Sequence, residues 1–268
     1  MNREHYARVF TPEVYPRLLE ATEDLSWMLS RGYTTTASLK MVGDRYKLNK
    51  TLREAVKRSG CSLRSYQLRD ARRVDEIALR GSAVWIDGFN LLITIERALR
   101  GDPVLICQDG VIRDIAGVHG TYRRGRHTLT AFELMYLTLE ALGVSQVKWF
   151  FDRPVSNSGR VAELARGFGD AEVVNDPDQD LINAPDDVIV ISGDGVILER
   201  CTGWYNLGRV ALTSLRIHPR GGMTMPIQHH REARHEWASV ISSGGDAHES
   251  TWFIDLSRPP TVPRAELG

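Results

Sequence analysis

The sequence predicts an α/β protein in which a small all-helical unit precedes a mainly parallel sheet, and three observations carry that prediction. From Gly81 onward short apolar strands alternate with amphipathic helices, the pattern that βαβ crossovers write into a chain. Several of those strands end in aspartate. The first eighty residues, by contrast, show only helical periodicity and helix caps. The expected division is a basic helical module over 1–80, an α/β domain over 81–218 and a C-terminal extension, partly flexible, over 219–268.

The elements follow in order. Over residues 13–32, Leu18, Leu19, Leu25, Trp27, Met28 and Leu29 fall near helical spacing, and Gly32 sits where a C′ residue belongs. A second helix starts at the Thr34–Ser38 cluster, and a third covers KTLREAVKRS with Gly60 after its end. Residues 61–80 are polar and Arg-rich, a helix or a linker. SAVWIDGFN then reads as a buried strand with the loop after it, followed by the helix LLITIERALR. PVLICQDGVIRDI suggests two short strands around Asp109-Gly110, a hairpin signal. TLTAFELMYLTLEALG is amphipathic and helical, QVKWFFDRP a strand ending in Asp-Arg-Pro, SGRVAELARGFG a helix. AEVV is a strand that breaks at Asn175-Asp176-Pro177. DVIVISGD is the most apolar strand, VILERCTGW a helix, and RVALTSLRI reads as a last strand. In the extension, QHHREARHEWASVI fits a surface helix.

Composition narrows the class. Hydrophobic residues make up 42% of the 268 residues and charged residues 25%, as in ordinary globular proteins. No apolar run approaches the ~20 residues of a membrane span. The start MNREHYARVF lacks a signal-peptide core, and three scattered cysteines, Cys61, Cys107 and Cys201, argue for a reducing, cytoplasmic setting. Net charge is zero, but residues 1–80 carry 16 Lys and Arg against 10 Asp and Glu, while the rest carries 18 against 24. A basic module joined to an acidic one suits a polyanionic partner.

The aspartates carry the chemistry. Asp87 ends VWID, Asp152 ends WFFD, Asp176 and Asp178 follow EVV, and Asp194 follows VIVISG. In an open parallel sheet the C-terminal strand ends share one edge. Carboxylates gathered there repel one another and raise each other's pKa unless a cation neutralises them. Hard oxygen donors select Mg²⁺ or Mn²⁺, and such ions can activate water for attack on a phosphodiester. The plain alternative is that each Asp is a turn or N-cap residue. Asp87 is followed by Gly88 and Asn90, a sequence that permits a tight turn bringing the Asn90 amide back toward the strand end, where it could orient a water or a substrate phosphate.

On these motifs the chain resembles the PIN/NYN-like ribonucleases. IDGFNLL is similar to their opening strand with Asp-Gly-aromatic-Asn, FFD to their second strand-end aspartate, NDPDQD to their third acidic motif, and ISGD to their Thr-Ser-Asp signature with Gly193 in place of serine. Leu29-Ser30-Arg31-Gly32-Tyr33, VGDRYKLNKTLREAVKRSGCS and DRPVSNSGR further resemble a prokaryotic family in which a short helical module precedes a PIN-like domain. The resemblance spans residues 17–215. It implies a three-layer PIN-like fold and a metal-dependent ribonuclease, with Asp87, Asp152, Asp176, Asp178 and Asp194 as metal ligands and Asp87, Asp152, Asp178 and Asp194 catalytic. It also implies an acid on a following helix, a role open to Glu133 or Glu140.

Further candidates lie around the acids. Ser156, Asn157, Ser158 and Arg160, with Arg153, could hold phosphate at a helix start. HGTYRRGRHT offers Arg123 and Arg124 for phosphates and Tyr122 for base stacking. Asp109 and Asp114 read as exposed hairpin-turn acids, and His229, His230 and His235 as surface. No Walker, dinucleotide or serine-hydrolase motif occurs. The expected substrate is RNA, single-stranded or structured, with no membrane partner and a homo-oligomer left open. A non-catalytic RNA-binding or protein-docking scaffold is the alternative. A small-molecule phosphatase would instead need a deep closed pocket.

Overall fold

The structure, a computed structural model, describes residues 3–115, 122–213 and 252–260. Its first part is helical, as the periodicity predicts: α1 (Arg3–Val9), α2 (Tyr15–Ser30), α3 (Thr35–Arg45), α4 (Lys50–Ser59) and α5 (Leu63–Arg72), then a 3₁₀ turn at Glu76–Leu79. The side chains of Thr34, Asn49 and Ser62 accept amide hydrogens from Ala37, Leu52 and Ser65 and start α3, α4 and α5. Gly32, at φ +84°, ends α2 while Tyr33 N–H donates to the Met28 carbonyl, a Schellman closure. Gly60 does not repeat this. It is extended, at φ −81°, and its small size serves instead to admit Leu25, whose Cδ2 would lie 3.1 Å from an added Cβ.

The second part alternates as expected: β1 (Ala83–Asp87), α6 (Gly88–Leu99), β2 (Val104–Ile106), β3 (Ile112–Asp114), α7 (Thr128–Ala141), β4 (Gln146–Asp152), α8 (Ser158–Ala165), β5 (Asp170–Val174), α9 (Pro177–Ile182), β6 (Val188–Ile191), α10 (Gly195–Arg200) and α11 (Leu207–Thr213). A short strand, β7 (Phe253–Asp255), follows in the extension. Strands β5, β4, β1 and β6 form, in that order, a wholly parallel sheet. Beside it β3, β2 and β7 form a second sheet, in which β2–β3 is the expected antiparallel hairpin.

Strand alternation sorts the core. Val84, Ile86, Trp149, Phe151, Ile189 and Ile191 pack with α6, α7, α8 and α11. Phe150, Val188 and Val190 pack on the other face with Leu181 of α9, Ile197 and Leu198 of α10, and Trp204. Helices thus cover both faces of the parallel sheet, which accounts for its near-continuous apolar strands. The helical module is not a separate body. Leu18, Leu25, Leu52 and Val56 share one buried cluster with Leu105, Cys107 and Ile115 of the hairpin and Ile254 and Leu256 beyond it.

Two readings of the sequence are corrected. RVALTSLRI is not a strand: its described part belongs to α11, because Leu207, Ala211 and Leu212 present helical spacing to the sheet core. No tight turn follows Asp87 either, since α6 begins at Gly88 with Asp87 as its cap. A Cβ at Gly88 would lie 2.4 Å from Phe151 Cε1, so only glycine lets the helix start this close to β4. The surface-helix reading of 227–240 and the three histidines there lie outside the described residues.

Candidate acidic site

All four strands of the parallel sheet run the same way, so Asp87, Asp152, Asp176 and Asp194 leave it along its C-terminal edge. In β1 and β4, alternation puts Asp87 with Trp85 and Asp152 with Phe150, on the face that α9 and α10 cover. Asp178 lies in the first turn of α9.

The plain reading of these acids is correct for three of them. Asp87 accepts from the Asn90 amide, Asp176 from the Gln179 amide, and Asp194 from those of Val196 (2.7 Å) and Ile197 (3.4 Å). Each therefore caps a helix. Asp152 and Asp178 cap nothing. Asp152 opens a loop that does not lead into a helix until Ser158, and Asp178 is exposed within α9.

The acids act on one another. Burial pushes the Asp87 carboxyl up to about 7, against a hydrogen bond from Ser192, and Asp178, Asp194 and Asp152 push it further in the same direction. Asp178 reaches solvent, yet the part of its carboxyl turned to the sheet edge is desolvated, which raises it, with Asp194, Asp152 and Asp176 adding. Asp152 is raised by burial and by Asp176, against a hydrogen bond its carboxylate accepts from its own main-chain N–H. No basic group stands among these leading influences. The acids meet in electrostatic range and not in ligand range: among the described residues no three His, Cys, Asp or Glu side chains stand close enough to hold a metal ion as placed.

The Ser192-Gly193-Asp194-Gly195 loop closes the edge. Ser192 Oγ donates to Asp87 Oδ2 at 2.7 Å, and Gly193 N–H donates to Asn90 Oδ1 at 2.8 Å. Asn90 thus ties two strand ends together. A Cβ at position 193 would stand 2.6 Å from that Oδ1, so only glycine lets the loop pass this close to Asn90. The hydroxyl toward Asp87 comes from Ser192, a residue that sequence reasoning did not assign.

Several other candidates do different work. Ser156 Oγ and Asn157 Nδ2 both donate to the Tyr122 carbonyl, Ser158 is buried, and its N–H donates to Val155. These residues anchor the 122–128 segment. Asn157, at φ +68°, makes the turn into α8. Arg153 turns to Asn175 and the Val173 carbonyl. Arg123, Arg124 and Arg160 are exposed. Tyr122 is not a stacking surface. It is 4% exposed, and its hydroxyl bonds Glu96 and Thr128. Glu96, an unforeseen buried acid on α6, is raised by burial against its bonds to Thr128 and Tyr122. Neither Glu133 nor Glu140 is among the leading influences on Asp87, Asp152 or Asp178.

Asp109 is not an exposed turn acid. It is 6% exposed, and it accepts two hydrogen bonds from Arg113 and one from Arg69. Burial works against its charge, but the two guanidinium groups hold its carboxyl down at about 2. Asp114 is likewise buried, with Arg58 3.5 Å away. The three cysteines are free and buried, and burial pushes the Cys61 thiol up to about 12.

The charge of the helical module is partly spoken for. Lys40 and Arg53 pair with Asp44, Arg45 with Asp24, and Lys57 and Arg58 with Glu54. No helix among the described residues is long and apolar enough to cross a membrane.

Comparison with known proteins defines the class first. Residues 76–210, half of the chain, match the family described as "Domain of unknown function (DUF5616)", and the chain belongs to that family. Residues 17–72 match "Protein of unknown function (DUF434)". The chain is similar to "Uncharacterized protein MJ0935" of Methanocaldococcus jannaschii, 30% identical over 147 residues that cover 55% of this chain and 70% of that protein. No solved structure matches.

Proposed function

We propose that this protein is a PIN/NYN-like ribonuclease that cleaves RNA with Mg²⁺ or Mn²⁺ at the acidic edge of its parallel sheet. One observation carries the reading. Asp152 and Asp178 have no capping task, yet both push the Asp87 carboxyl up, as Asp194 does, and Asp178 is raised in turn by Asp194 and Asp152, with no basic group among the leading influences on either. A fold tolerates such repulsion when a cation is present in the working state.

The donor chemistry fits a hard divalent ion: carboxylate oxygens from Asp87, Asp152, Asp176, Asp178 and Asp194, with the Ser192 hydroxyl and the Asn90 amide beside them. When bound, the ion would supply Lewis-acid charge and an activated water. Ser192 and Asn90 orient Asp87 and the Gly193 loop. Arg123, Arg124 and Arg160 are exposed cations available to RNA phosphates.

A second reading, a non-catalytic RNA-binding or protein-docking scaffold, is favoured by two facts: three of the acids cap helices, and no three side chains among the described residues form a ligand group as placed. Cleavage of a labelled single-stranded RNA with Mn²⁺ separates the two. The ribonuclease reading expects cleavage by the native protein and a loss of about 10²-fold or more in Asp87→Asn. No cleavage by either protein favours the scaffold, while equal cleavage by both would remove Asp87 from the site and overturn the acidic-edge assignment.

A further inference from the structure

We infer that the helical module is part of the acidic site, through a buried Arg69–Asp109–Arg113 relay that sets the position of Asp194. The inference rests on the ribonuclease reading for its purpose and on geometry alone for its substance. Asp194 is flanked by two glycines, and each flank is touched by a locked guanidinium. On one side Arg113 Nε donates to the Gly193 carbonyl at 2.6 Å. On the other, Arg69 lies against Gly195, where an added Cβ would stand 2.3 Å from Nη2. Arg69 belongs to α5 of the module, and Arg113 to β3 of the hairpin.

Neither arginine can drift. Asp109 takes Arg113 Nη1 and Nη2 in a bidentate pair at 2.9 and 2.7 Å, and takes Arg69 Nη1 at 2.6 Å on the same carboxylate. Arg69 also donates through Nε and Nη2 to Glu199, which sits on α10, the helix that Asp194 caps. Both arginine side chains are 12% exposed. Paired guanidinium groups held this way have fixed planes as well as fixed charge. The charges are answered by Asp109 and Glu199, so the arginines steer the loop without neutralising the site acids. The Trp204 indole N–H, donating to the Arg69 carbonyl at 2.7 Å, fixes the backbone from which Arg69 extends.

Arg69 and Arg113 are therefore positioning residues. The module acts on the site by contact with the loop that carries Asp194, whatever it also does with RNA. The consequence is local and readable without any assay of cleavage. The amides of Val196 and Ile197 donate to Asp194 Oδ1, so their hydrogen exchange reports where that carboxylate stands. In Arg113→Lys, which keeps the charge and loses the fork, we expect these two amides to exchange about tenfold faster or more, while those of Ile86 and Phe150 in the sheet keep their native rates. Gly195→Ala, which keeps every charge and adds one methyl against Arg69, should loosen the same amides, so the inference stays testable if Arg113→Lys fails to fold. In the folded variants the Kd for Mn²⁺ should rise about tenfold as well. Native exchange at Val196 and Ile197 in a folded variant would overturn the relay. Absence of cleavage by the native protein would instead overturn the ribonuclease reading and leave the exchange result standing.

Discussion

Asp87 answers to two demands that pull apart: it caps α6, and it is a buried carboxylate facing other acids. Its pKa is raised, so the ionised form is disfavoured in the fold. Without metal that costs stability as pH rises from about 4 to 7, by roughly 4 kcal/mol for a shift of this size at a buried site. Asn can cap as well as Asp. Metal-free Asp87→Asn should therefore melt at or above the native temperature at pH 8, and a clear drop in a thermal melt would contradict this electrostatic account. Gly193→Ser should cost about 1–3 kcal/mol in urea unfolding because its Cβ meets Asn90; an unchanged midpoint would contradict it. The acids were legible because each follows a short apolar run. Ser192 as a partner of Asp87, and Asp109 as a partner of Arg69, were not, because those pairs lie 105 and 40 residues apart in sequence. Tyr122 misled for the opposite reason: Arg123, Arg124 and Arg126 around it suggest an exposed loop, and only Glu96, 26 residues back, explains its burial.

Among elements, the hairpin and α5 form the joint on which stability turns. The Asp109 carboxyl is held near 2 by Arg113 and Arg69, against an ordinary value near 4. A lowered acid pKa gives stability that is complete above the unfolded value and is lost as pH falls through the folded one. The Asp109 contribution, read as the difference in urea midpoint between the native protein and Asp109→Asn, should then hold down to about pH 4 and fall steeply toward pH 2. Asp109→Asn leaves two arginines buried beside a neutral amide, so it should lose about 3–5 kcal/mol at pH 7 and show a flatter acid limb; a native midpoint at pH 7 would contradict the buried-pair assignment. The hairpin itself was readable from Asp109-Gly110 between apolar runs. RVALTSLRI was not, since a short apolar run carries either period until its partners are known, and here they are the helices of one sheet face. β7 was unreadable because its partner β2 lies some 150 residues away.

For the whole molecule, the family match and the fold divide the chain differently. The two matched families meet between residues 72 and 76, and the change from helical to alternating pattern makes that boundary visible in the sequence. The packing ignores it, because Leu18, Leu25 and Leu52 share a core with Leu105, Cys107 and Ile115. A chain lacking residues 1–80 would expose that apolar surface and lose Arg69, so it should show no cooperative thermal transition. A sharp melt of the truncated chain would mean that the α/β unit folds alone. The central claim remains the acidic edge, and Asp152 and Asp178 test it best because neither has a capping task to lose. Mn²⁺ titrated calorimetrically into the metal-free native protein, Asp152→Asn and Asp178→Asn is the direct measurement. Saturable binding is expected for the native protein, weakened about tenfold or more in each variant with melting temperature nearly unchanged. Binding of equal strength in all three, or none to the native protein, would contradict it.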